Sequence, residues 1–235
     1  MGGETLTLEA ELIEMMEGRA NFYRLLARVF RKEVDAEFLE ALAGQTQLLA
    51  ALRGISRKGQ SLLKDFLRQI SAVQMESVVN DLTVEYADLF LGTGRSQGRS
   101  ALPYASVYLG RDKSLMEEPY VQIRRFYQRA GFQAAAGSSE LEDHVASVLE
   151  FLGHLAAGTS CSIAGGDWAT AREQLSSQAE FLDKHVLTWV PAFCRDTSRH
   201  ASSGFYKAFA LLTAAFAKAD RAVVEEASLE LGGDE

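Results

Sequence analysis

Residues 204–220 read "GFYKAFALLTAAFAKAD". Wound as a helix, this stretch is apolar on nearly every side, so it belongs at the centre of a fold with other elements around it. No part of the chain shows the period-two alternation of a half-buried strand. Only three prolines, Pro103, Pro119 and Pro191, interrupt 235 residues rich in Leu, Ala, Glu, Gln and Arg. That composition favours helices, and the fold reads as all-α, a helical bundle.

The surrounding segments carry helical spacing. Leu8, Leu12, Met15, Met16, Phe22, Tyr23, Leu26 and Phe30 mark an amphipathic helix over 8–31. Asp35 caps "DAEFLEALAG", which Gly44 can end. "QTQLLAALRG" and "GQSLLKDFLRQI" predict two more helices, and Val79, Leu82, Tyr86, Leu89 and Phe90 form a stripe over 76–91. A helix over 117–130 has Pro119 in its first turn and Gly131 at its end. Leu141, Val145, Val148, Leu152 and Leu155 alternate steps of four and three. "AAGTSCSIAGG" (156–166) reads as a loop. Asp167 then caps a pattern that runs to Trp189, with a bend near Pro191. The acidic tail "EEASLELGGDE" reads as frayed.

Small residues in "GFQAAAGSSELEDH" (131–144) suggest a hinge at about 131–140. It would join a larger N-terminal helical domain (1–136) to a smaller C-terminal one (137–235). A flexible hinge near Gly137 leaves a monomer or a domain-swapped dimer open.

The net charge of −8 and pI of about 5.2 oppose binding to nucleic acid. Cys161 and Cys194 lack metal or redox spacing and read as reduced thiols. No apolar run approaches the ~20 residues of a membrane span. The N-terminus has no basic region followed by an apolar core, so no secretory signal is read and a cytoplasmic location is expected.

The Gly/Arg-rich run "FLGTGRSQGRS" (90–100) raises the question of a phosphate loop. In a Walker A alignment Thr93 occupies the first glycine position and Arg99 the lysine position, and the preceding segment is helical. A nucleotide-binding helical protein stays as an alternative. The residues three before His144, His154, His185 and His200 are Leu141, Phe151, Leu182 and Thr197, so no Glu-x-x-His pair exists for a metal. Neither HExxH nor G-x-S-x-G occurs. No catalytic centre is read, and an enzyme is not expected.

Tyr86-Ala87-Asp88-Leu89-Phe90, then Pro103-Tyr104 with Ser106, then Glu140-Leu141-Glu142-Asp143-His144 with "EFLGHL" after it, follow in one order. Over about residues 10–220 the chain resembles the TorD/DmsD/NarJ family of cytoplasmic chaperones for molybdenum-containing oxidoreductases. It departs from the family pattern at Leu141, which stands for a proline, and at Glu142, which stands for an aspartate.

The resemblance implies a chaperone without a reaction or cofactor of its own. It would bind the twin-arginine signal peptide, or the apo form, of a molybdopterin-containing catalytic subunit, assist cofactor insertion and delay export. A NarJ-like adaptor for a non-exported subunit is the other reading. Carboxylates suit the arginines of such a peptide and an apolar groove suits the rest. The expected peptide site is Tyr86, Leu89, Phe90, Pro103, Ser106, Tyr108, Glu142, Asp143 and His144, lying between the two domains. His144 would tune binding with pH or donate a hydrogen bond. By spacing alone, Tyr86, Leu89 and Phe90 equally suit a core, and His144 a helix cap.

Overall fold

The computed structural model describes residues 2–94, 98, 100–132 and 140–232. Its helices are α1 (Gly2–Arg31), α2 (Ala36–Gly44), α3 (Thr46–Ile55), α4 (Arg57–Ile70), α5 (Met75–Phe90), α6 (Ala105–Leu109), α7 (Glu118–Arg129), α8 (Val145–Ala164), α9 (Trp168–Phe181), α10 (Val190–His200) and α11 (Gly204–Gly232). Among the described residues there is no strand, only one isolated bridge, between Tyr104 and His144.

Local chemistry sets several boundaries. The Asp35 carboxylate accepts from Phe38 N at 2.8 Å and starts α2. Asp167 does the same for Thr170 N and starts α9. Such caps satisfy amides that a helix start leaves unpaired. Gly131 ends α7 at φ +66°, a backbone state glycine adopts without steric penalty.

The expected central helix is central. α11 packs against α3, α4, α9 and α10, burying Phe205, Tyr206, Phe209, Leu212, Ala217 and Val224. Gly59 lets α4 approach it closely: a Cβ there would lie 2.9 Å from Leu212 Cγ. α1 lies along α8, and Gly153 faces Ala20 O and Tyr23 at the crossing. Helices from both sides of the expected domain boundary therefore interleave, and their buried side chains form one continuous cluster. Residues 133–139 of the expected hinge lie outside the described residues.

Three segments differ from the sequence reading. Residues 156–164 are not loop but the last turns of α8. Small side chains there let α9 come close: Gly158 faces Gln174, and Gln178 Nε2 donates to Thr159 Oγ1 at 2.9 Å. The tail does not fray before Gly232, because Val224, Ala227 and Leu231 are buried and Arg172 donates to Leu231 O. The bend before Pro191 begins earlier, in a π-helical turn over Leu182–Val186, and Pro191 sits in the first turn of α10, where its missing N–H costs nothing.

Candidate functional site

The three motifs meet at the start of α8. Residues 101–104 form an extended strap that crosses from the end of α5 to this point and leads into α6. Ala101 N donates to Leu89 O at 2.7 Å. Val145 N then donates to Pro103 O at 2.7 Å, and Ala105 N to Asp143 O at 3.0 Å. Asp143 Oδ2 accepts from Ser106 N at 2.9 Å, and Ser106 Oγ accepts from Glu117 N at 3.2 Å. His144 is the N-cap of α8, its Nδ1 accepting from Ala146 N at 3.1 Å. The Tyr104 ring meets the imidazole edge-to-face at 5.0 Å.

This corner is closed. Asp143 and Ser106 are 0% exposed and His144 3%. Pro103 is buried beside them. Tyr86, Leu89 and Phe90 are also buried: the Tyr86 hydroxyl donates to Phe30 O at 3.1 Å, and Phe90 packs on Phe30, Phe193 and Tyr206. Tyr108 and Glu142 are half-buried. Tyr108 lies against Trp189 and Phe193. Of the nine residues expected to contact a peptide, these last two present surface in this conformation.

The electrostatics follow from burial. Asp143 is raised above the ordinary aspartate range by desolvation, against the pull of its Ser106 hydrogen bonds. His144 is pushed down to about 3 by desolvation and by the Arg31 charge. It is therefore neutral at physiological pH, with Nδ1 as the acceptor and the proton on Nε2. In this closed conformation the imidazole accepts through Nδ1, and its Nε2–H is left as the donor.

The neighbouring acids are engaged too. Glu142 lies 3.7 Å from Arg124, Glu140 3.9 Å from Arg31, and Glu150 2.7 Å from Arg31. Arg124 and Arg125 are exposed, as a solvated helix face requires. Sequence reasoning missed Glu117. Its carboxylate accepts from Ser114 N at 2.7 Å and from Asp112 N, which closes the 110–117 turn.

Open surface lies elsewhere. One groove of about 800 Å³ runs between α1, α2 and α3, past Phe22, Phe38 and Leu48. Another of about 660 Å³ lies between α4, α5 and the start of α11, past Phe66, Ile70 and Val84. Among the described residues no group of three or more His, Cys, Asp or Glu is placed to hold a metal ion, and no helix is long and apolar enough to cross a membrane. Arg95, Ser96, Gln97 and Arg99 of the Gly/Arg-rich run lie outside the described residues.

The chain matches the nitrate reductase delta subunit family over residues 56–195, more than half its length. It is 32% identical to the chaperone protein TorD of Vibrio cholerae serotype O1 (El Tor Inaba N16961), over 92% of this chain and 96% of the relative. The chain belongs to this TorD/NarJ family. The TorD chaperones of Aliivibrio fischeri ES114 and Shewanella sp. ANA-3 are similar at 29% and 27% identity, over 89% and 92% of this chain and 96% and 98% of their own lengths. The family segment spans α4 to the middle of α10. It contains the strap, the Asp143–His144 corner and the α4 and α5 walls of the second groove, and it leaves out α1 to α3 and α11.

Proposed function

We propose that this protein is a cytoplasmic maturation chaperone for the catalytic subunit of a molybdenum oxidoreductase. It binds the subunit's twin-arginine leader and holds the apo form until molybdopterin is inserted, so that export waits. The observation that carries this reading is likeness to TorD chaperones along nearly the whole chain, together with the three motifs converging on one corner. That corner acts through architecture: Asp143 and His144 lock the strap to α8 and so fix the surfaces on either side. Tyr108 and Glu142, at its edge, are the members of the expected set able to touch a partner directly. This role asks for neither a reaction nor a cofactor of the protein's own.

The test is capture of a candidate molybdopterin-binding catalytic subunit, with and without its leader. Capture of the full-length apo-subunit, weakened when the leader is removed, supports the reading. Equal capture of both forms favours an adaptor for a subunit that stays inside. Capture of neither overturns both.

A further inference from the structure

We propose that the outer face of α4, with the end of α3, is a docking surface for an anionic lipid bilayer. Residues 53–68 carry five basic side chains, Arg53, Arg57, Lys58, Lys64 and Arg68, against one acid, Asp65. That is a local excess of four positive charges in a chain of net charge −8. All five are exposed. Helical geometry aligns three of them: positions 57, 64 and 68 fall within about 40° around the α4 axis and span about 17 Å along it. Arg53, in the last turn of α3, and Lys58 add to this row. The opposite side of α4 buries Leu63, Phe66, Leu67 and Ile70, which holds the row outward. Among the described residues only Arg68 of the five is ion-paired, with Asp65 at 3.0 Å. That pair is on the surface, where it is weak and readily exchanged.

Shape and charge select the partner. Neither groove described above is lined by any of the five, so this face offers a row of cations to a broad anionic plane and no trough for a peptide. Clusters of four to eight Lys and Arg on an amphipathic helix suit anionic headgroups, each cation near the surface adding to the attraction. The outward row Arg57, Ser61, Lys64 and Arg68 has no apolar member, so the contact is ionic and salt-sensitive. The protein's acidity lies at the other end. Four glutamates over 9–17 of α1 and three over 225–230 of α11 have no basic residue among them. The two stretches meet where Leu8, Leu12 and Leu231 share one hollow. α4 packs near the opposite end of α11, with Gly59 beside Ala208 and Leu212. About 25 Å of helix separates Ala208 from Glu225, some three screening lengths at physiological salt. A bilayer against α4 therefore meets the basic end and is screened from the acidic one. This surface concerns where the protein sits, whichever client it holds.

The experiment is co-sedimentation of the full chain with vesicles of phosphatidylglycerol and phosphatidylcholine in equal parts, against vesicles of phosphatidylcholine alone. The test variant combines Arg57→Gln with Lys64→Gln. The control combines Arg24→Gln with Lys218→Gln, which removes the same charge from exposed sites on α1 and α11. Circular dichroism checks that both are folded. The expected result is that the wild type binds only the phosphatidylglycerol vesicles and is released at about 0.5 M salt. The test variant should bind at least about tenfold more weakly, with the control unchanged. No vesicle binding, equal binding to both kinds of vesicle, or equal loss in the two variants overturns the proposal. Binding to polyglutamate or duplex DNA that depends on Arg57 and Lys64, without vesicle binding, also overturns it and assigns the face to another polyanion. None of these outcomes touches the chaperone reading.

Discussion

Arg19 and Asp220 face each other inside the protein, 201 residues apart in sequence, with Nε 2.6 Å from Oδ1 and Nη2 2.9 Å from Oδ2. The Tyr23 hydroxyl donates to the same carboxylate at 2.6 Å. Neither side chain is more than 5% exposed. The bidentate pair ties α1 to α11, and each charge is tolerated there only because of the other.

Asp220→Ala should therefore destabilise the protein by about 3–5 kcal/mol, since it strands a guanidinium in the core. Urea unfolding reads the loss. Arg19→Met combined with Asp220→Leu should cost less than Asp220→Ala alone, because no charge is then left unpaired. If the double variant is the less stable of the two, the pair is more than mutual neutralisation.

His144 predicts an acid response. Its folded pKa of about 3 lies below the ordinary 6.5, so the unfolded chain takes up a proton that the folded one refuses. Stability from this group is fully present above 6.5 and is lost as pH falls from there toward 3, at up to about 1.4 kcal/mol per pH unit. His144→Asn keeps a side-chain acceptor for Ala146 N and does not titrate. Its unfolding free energy should fall less steeply than wild type between those limits. Parallel slopes in denaturant titrations would show that another group carries the acid sensitivity.

Gly110 is enclosed by the turn that Glu117 organises. A Cβ at this position would collide with Ser106 O and lie 2.5 Å from Glu117 Cδ. Gly110→Ala should cost about 1–3 kcal/mol, because backbone has to move to admit one methyl group. Thermal unfolding tests this. Gly44→Ala, with nothing within 4 Å of its Cβ, is the matched control and should be near neutral.

The two cysteines should separate by reactivity. Cys161 is exposed and Cys194 buried, and burial pushes the Cys194 thiol up, which holds it protonated and unreactive. A thiol reagent should modify one cysteine in the native protein and both in denaturant. Two fast thiols under native conditions would mean that α10 opens readily from α11.

Helices with a clean stripe and a polar cap were legible from sequence, as Asp35, Asp167 and the apolar run 204–220 illustrate, because those signals are local. Residues 156–164 were not. Gly158, Thr159 and Ser160 carry loop propensities, and only packing against Gln174 and Gln178 of α9 makes them helical. The candidate site was legible in membership and not in exposure. Asp143 and His144 open a helix, where acidic and polar residues ordinarily meet water. What covers them is the 101–104 strap and the first turn of α6, whose Ser106 lies 37 residues before Asp143 in the chain. No periodicity reports such a cover. Tyr86, Leu89 and Phe90 show the converse, since the spacing that suited a groove wall suits a core equally well.

The pairing of α1 with α8 sets a schedule for synthesis. The first helix leaves the ribosome long before residues 145–164 exist to receive its apolar face. At ~5–20 residues per second the wait is on the order of ten seconds. For that interval the nascent chain displays a greasy amphipathic segment whose partner has not yet been made.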